Sequence, residues 1–133
     1  MTPTATVLIV DDNLDIAEAS EMLLTSAGYA VRTASNGKEG LASLSDGRLP
    51  NCVLLDVDMP GLSGPEMAHQ MLLHDAGEES IPIVLVSARH DVPEIAARMG
   101  TPYFLTKGSA GYTDALLAIL ARALREHCAP ASA

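Results

Sequence analysis

The chain has 133 residues, of which 48% are hydrophobic but only 3% aromatic, and it carries a formal net charge of -9. That suffices for one domain whose core is filled by aliphatic side chains. Eight scattered Lys and Arg residues form no clustered basic footprint for nucleic acid, whereas an acidic balance suits binding of a divalent cation.

The first apolar run, Thr6–Val10, reads as a strand. The stretch from Ala5 to Val10 is too short for a signal-peptide core or a membrane span, no basic segment precedes it, and no other segment approaches a span. A helical pattern from about Leu14 to Ala27 puts Ile16, Ala19, Leu23 and Ala27 on one face and stops at Gly28. Tyr29–Ala34 alternates and reads as an edge strand. An Asn36-Gly37 turn leads into a second helix, Lys38–Leu44. Cys52–Leu55 is the third strand. Pro65 suits the first turn of a third helix, Pro65–Asp75, and Gly77 its stop. Ile81–Val86 is the fourth strand, Pro93–Met99 a short fourth helix, and Tyr103–Leu105 the fifth strand. A long fifth helix, Tyr112–His127, carries the stripe Leu116, Leu117, Ile119, Leu120 and Leu124. The continuous apolar runs read as strands buried on both faces. Five strands alternating with five helices predict a single α/β domain with a parallel sheet, whose ligands sit at the carboxyl ends of strands. Cys52 reads as a small buried hydrophobe and Cys128 as a tail residue, two free thiols of a reducing cytosol rather than a disulfide framework. No repeat or internal linker occurs, and with the chain ending just after the fifth helix a single domain without an effector domain is the expectation.

The acids fall where a sheet would gather them. Asp11 and Asp12 follow the first strand and Asp56 follows the third. Three carboxylates at neighbouring strand ends repel one another, and a hard cation with oxygen ligands relieves that. Asp12 or Asn13 also suits the cap of the next helix. Ser87 follows the fourth strand and Lys107 the fifth. A phosphoryl group on an aspartate would need a cation, an ammonium and hydroxyl or amide donors around it.

With Val-Asp-Asp at 10–12, Leu-Leu-Asp-Val-Asp-Met-Pro-Gly at 54–61, Val-Ser-Ala at 86–88 and Leu-Thr-Lys at 105–107, the chain resembles the receiver domain of bacterial two-component response regulators, of the chemotaxis-regulator type. The resemblance covers about residues 5–127. It implies a doubly wound, flavodoxin-like five-stranded sheet of order 2-1-3-4-5, for which receiver domains are a standard instance. It implies Asp56 as phosphoacceptor, and Asp11, Asp12 and the backbone carbonyl of Asp58 as ligands, with Asp56, of a magnesium ion. It implies Lys107 as the phosphoryl's cationic partner, Ser87 as a hydroxyl that moves towards it, Phe104 as the switch aromatic, and Met59-Pro60-Gly61 as the shape of the loop after the acceptor. The implied partners are a sensor histidine kinase or phosphotransfer protein and a downstream protein reading the face made by the fourth helix, fifth strand and fifth helix. The implied setting is the cytoplasm, with no direct nucleic-acid or membrane contact and no enzymatic turnover beyond the chemistry at Asp56.

The chain departs from that family after Lys107, where Gly108 replaces the usual proline and Ser-Ala-Gly follows. A non-proline cis bond costs about 2.5–4 kcal/mol, so the Lys107–Gly108 bond is expected to be trans. Arg89 and Asp58 flank the expected site, at positions that, by the resemblance, tune the lifetime of the aspartyl phosphate in that family. His69 and His74 do not share a helical face and read as solvated, and the chemistry does not require His90. Two other readings use the same residues: a magnesium-dependent phosphohydrolase built on Asp56-Val-Asp58, and a vestigial receiver that only binds protein.

Overall fold

A computed structural model describes residues 5–44, 49–59, 61–73, 81–108 and 110–128. Its elements are β1 (Thr6–Val10), α1 (Leu14–Ser26), β2 (Ala30–Ala34), α2 (Gly37–Leu44), β3 (Cys52–Asp56), α3 (Gly64–Leu73), β4 (Ile83–Ser87), α4 (Val92–Met99), β5 (Tyr103–Thr106) and α5 (Tyr112–Cys128). The strands form one parallel sheet in the order β2-β1-β3-β4-β5. The chain winds outward from β1 to β2, then crosses back to β3 and continues the other way. The strand order therefore reverses between β1 and β3, the place where such sheets bind ligands.

Alternation along each strand divides the core in two. Leu8, Val10, Val53, Leu55 and Leu85 pack against Leu44 of α2, Met67 of α3 and Ile95 of α4. Val7, Ile9, Leu54 and Val84 face Leu24 of α1 and Leu116, Leu120 and Ala123 of α5. Fully buried side chains such as Leu8, Leu55 and Leu85 each contribute about 1.5–3 kcal/mol. Cys52 is buried within this second cluster.

Several expectations need correction. The inward face of α1 is Ala17, Ser20 and Leu24, flanked by half-buried Ile16 and Leu23, while Ala19 and Ala27 are exposed. The apolar positions alone fit a stripe displaced around the helix, because the small hydroxyl of Ser20 takes an inner place that its polarity does not advertise. Asn36-Gly37 is a helix start rather than a separate turn: Gly37 is already helical, and the Asn36 side chain accepts from the Glu39 N–H at 2.8 Å. Tyr103–Thr106 is not buried on both faces. As the second edge of the sheet it buries Tyr103 but leaves Phe104 exposed. Cys128 ends α5 instead of lying in a tail. Asn13 is the cap of α1, accepting from the N–H groups of Asp15 and Ile16. Asp75 and Gly77, the expected end of α3, and His74 lie outside the described residues; His69 is exposed, as is His90.

Candidate functional site

Parallel pairing continues one residue past three of the strands and fixes the side chains there. The Asp11 N–H donates to the Ala34 carbonyl at 3.1 Å, the Val57 N–H to Val86 at 3.1 Å and the Lys107 N–H to Ser87 at 2.9 Å. Asp11, Asp56 and Lys107 therefore leave the sheet from backbone that a neighbouring strand still holds in register. The loop after β3 is drawn in by Gly64, whose N–H donates to the Val57 carbonyl at 2.9 Å. A Cβ on Gly64 would collide with the carbonyl oxygen of Asp56. The neighbouring Ser63 and Glu66 close the start of α3 reciprocally: the Glu66 carboxylate accepts from the Ser63 N–H at 2.8 Å, and the Ser63 hydroxyl accepts from the Glu66 N–H at 3.3 Å.

Asp11, Asp12 and Asp56 each bring a carboxylate oxygen within 4.8 Å of the others. Asp11 and Asp56 are buried and Asp12 is exposed at the mouth. The Lys107 ammonium lies 2.9 Å from Asp11 and 3.2 Å from Asp56. Asp11 also accepts from the Asn13 N–H at 2.9 Å. Burial pushes the Asp56 carboxyl up to about 6, against the opposing pull of Lys107 and with further push from Asp11 and Asp12. Burial alone would lower the Lys107 ammonium, but its pairing with Asp11 and Asp56 outweighs that and raises it. One ammonium thus leaves the trio short of positive charge. The arrangement fits a divalent cation, since oxygen ligands, net negative charge and an open mouth on one side are what a hard cation needs.

Of the other residues singled out in the sequence, Ser87 is 1% exposed, and its oxygen accepts from the Arg89 N–H at 3.0 Å. Phe104 stands on edge strand β5, 37% exposed, outside the buried core. The Asp58 carboxylate is taken by Arg89, at 3.3 Å, and Arg89 also grips Asp91 at 2.8 Å. The second acid of the phosphohydrolase reading is therefore paired with Arg89 at the surface and is not one of the three acids that lie together. The Lys107–Gly108 bond is trans, and Gly108 turns at φ +75° immediately after the lysine. Sequence reasoning did not single out Gly64, the Asp91 half of the Arg89 pairing, or Tyr112, which lines a small cavity with Asp11 and Asp56. The Gly64-Pro65 pair was a signal for the first; the Arg89–Asp91 pair spans only two residues and a charge pattern could have found it, whereas no local pattern announces Tyr112, which meets Asp11 and Asp56 from a chain segment far away.

Acids and a lysine at the switch point of a 2-1-3-4-5 sheet define a receiver-type α/β signalling domain. The sequence matches the response regulator receiver domain over residues 7–120, and the chain belongs to that family. It is thus a phosphoacceptor module of two-component signal transduction. Among its relatives, the uncharacterized transcriptional regulatory protein YkoG of Bacillus subtilis is 34% identical over 123 residues, covering 91% of this chain and 51% of that protein. The transcriptional regulatory protein AfsQ1 of Streptomyces coelicolor is 33% identical over 129 residues, 94% of this chain and 55% of that one. The chain therefore spans about half the length of these relatives. Among solved structures, the chemotaxis protein CheY4 of Vibrio cholerae superposes with a TM-score of 0.80 at 28% identity, over 91% of this chain and 99% of that one. Response regulator TrrA of Thermotoga maritima, in complex with magnesium and BeF, gives 0.77 at 27% identity, over 90% and 99%. Among the described residues, no helix is long and apolar enough to cross a membrane.

Proposed function

We propose that Asp56 accepts the phosphoryl group, and that Asp11, Asp12, Asp56 and the Asp58 backbone carbonyl hold a magnesium ion beside it. The observation that carries this reading is the buried carboxylate of Asp56, paired with Lys107 and crowded by two further acids. The nucleophile is a carboxylate oxygen of Asp56; it bonds to phosphorus as the bond from phosphorus to the donor breaks. Lys107 pairs with the incoming negative charge, moving from the carboxylates towards the phosphoryl oxygens. The hydroxyl hydrogen of Ser87 is available to donate to the same group, since the Ser87 oxygen already accepts from Arg89. A bound magnesium ion supplies charge neutralisation on the phosphoryl oxygens. Donation by Ser87 favours a second conformation in which Phe104 turns inward, and the change is read on the α4–β5–α5 face.

The upstream partner is a sensor histidine kinase or a phosphotransfer protein, and the downstream partner is a protein. The chain acts in the cytoplasm and turns over nothing beyond its own aspartyl phosphate. Labelling by acetyl phosphate, followed by intact-mass spectrometry, tests the site. Labelling is expected to require magnesium or manganese and to fall with Asp12→Ala, which removes a metal ligand but not the nucleophile. Unchanged labelling in excess chelator would rule out the metal role.

A further inference from the structure

The inner side of the acidic cluster, away from its open mouth, is bounded by a cavity with room for about one water molecule. Asp11 and Asp56 line it, together with Ser20 of α1, Tyr112 of α5 and apolar groups that include Ile16 and Leu54. Both acids are buried, 5% and 6% exposed. Their protein donors are the Lys107 ammonium and, for Asp11, the Asn13 amide, although two ionised carboxylates offer about eight lone-pair sites. Among the described residues the hydroxyls of Ser20 and Tyr112 have no protein hydrogen-bond partner. Tyr112 sits on the first turn of α5, delivered there by a loop with left-handed turns at Gly108 and Gly111. Its ring packs into the apolar cluster beneath the sheet, and its phenol lies within electrostatic reach of Lys107, Asp11 and Asp56. Packing uses the ring alone; a phenylalanine would fill that role, and the hydroxyl is left for the polar side.

We propose that Tyr112 is a positioning residue of the phosphorylation site, whose hydroxyl donates, through one water in the cavity, to the inner oxygens of the Asp11–Asp56 pair. The proposal rests on Asp56 being the phosphoacceptor. When the aspartyl phosphate hydrolyses, a water oxygen bonds to phosphorus and the bond from phosphorus to the Asp56 oxygen breaks. The electron pair of that bond stays on the Asp56 carboxylate, and the water's protons leave with inorganic phosphate or pass to solvent. A donor aimed at the inner oxygens stabilises the carboxylate that is re-forming. Tyr112 therefore shortens the life of the phosphorylated state, and its ring keeps bulk water from the inner side.

Two measurements on the full chain test this. The three tyrosines, Tyr29, Tyr103 and Tyr112, and the absence of Trp make ring-carbon NMR of labelled tyrosine readable residue by residue. The Tyr112 resonance is expected to shift on adding magnesium and in Asp56→Asn, while that of Tyr29 stays in place. In the second, Tyr112→Phe, which keeps the ring, is expected to lengthen the aspartyl-phosphate lifetime by about three- to tenfold, the size of one hydrogen bond. A lifetime in Tyr112→Phe equal to or shorter than that of the parent overturns the proposal, as does a Tyr112 resonance indifferent to Asp56→Asn. If Asp56 is not the phosphoacceptor, Asp56→Asn still takes label; that outcome removes the functional reading, and the NMR arm still decides the contact.

Discussion

Asp56 is a carboxyl that the fold makes costly to ionise, and the cost has a measurable sign. Its ordinary value of 3.8 rises to about 6, first because it is buried. Between those values the folded chain binds more protons than the unfolded one, so stability falls as pH rises through this window. At pH 7.5 the penalty is complete. Converted directly, a shift of that size is about 3 kcal/mol, and screening at the open mouth reduces it to about 1–2 kcal/mol. Without divalent cation, Asp56→Asn is therefore expected to be more stable than the parent at pH 7.5 by that amount, with the gain vanishing near pH 4. Urea midpoints at the two pH values check this, and an asparagine variant less stable at pH 7.5 contradicts it. These acids were legible because each directly follows or ends an apolar run, and a parallel sheet brings such ends together. Tyr112 was not: its tie to Asp11 and Asp56 depends on a loop path after Lys107 that no spacing rule gives.

The elements were readable where one period dominates. β1 and β3 are unbroken aliphatic runs, and their bounds emerge within a residue of expectation. The face of α1 was misplaced because Ser20 is inside and Ala19 outside, and alanine is small enough for either. The order 2-1-3-4-5 already placed β5 at an edge, but its exposure was not readable from the run itself, because Tyr103-Phe104-Leu105 is as apolar as a central strand; only its place last in the sheet exposes Phe104. The start of α3 carries a further expectation. Gly64 allows that helix to abut the Asp56 carbonyl, so Gly64→Ala must push the helix away from the strand. Overpacking of this kind costs about 1–3 kcal/mol. Because the displaced atoms belong to Asp56, the variant should also label more slowly with acetyl phosphate. Thermal unfolding and labelling rates measured on the same preparation check both, and a variant with parental stability would show that the contact is softer than its geometry implies.

At the scale of the molecule, α1 and α5 back one side of the sheet and α2, α3 and α4 the other, while the site sits at the strand ends between them. Signal has to leave through elements that touch both the site and solvent. β5 does so, carrying exposed Phe104 and leading directly into Lys107. With magnesium and beryllofluoride bound, amide resonances along the α4–β5–α5 face should shift together with that of Ser87, as expected when a ligand draws a population towards one of two states. Shifts confined to the neighbourhood of Asp56 would mean that the site is uncoupled from that face. All of this depends on the identity of the phosphoacceptor. The direct measurement is intact-mass spectrometry after incubation with acetyl phosphate and magnesium, on the parent and on Asp56→Asn in parallel. The account predicts one added phosphate on the parent and none on the variant; persistent full labelling of the variant would contradict it.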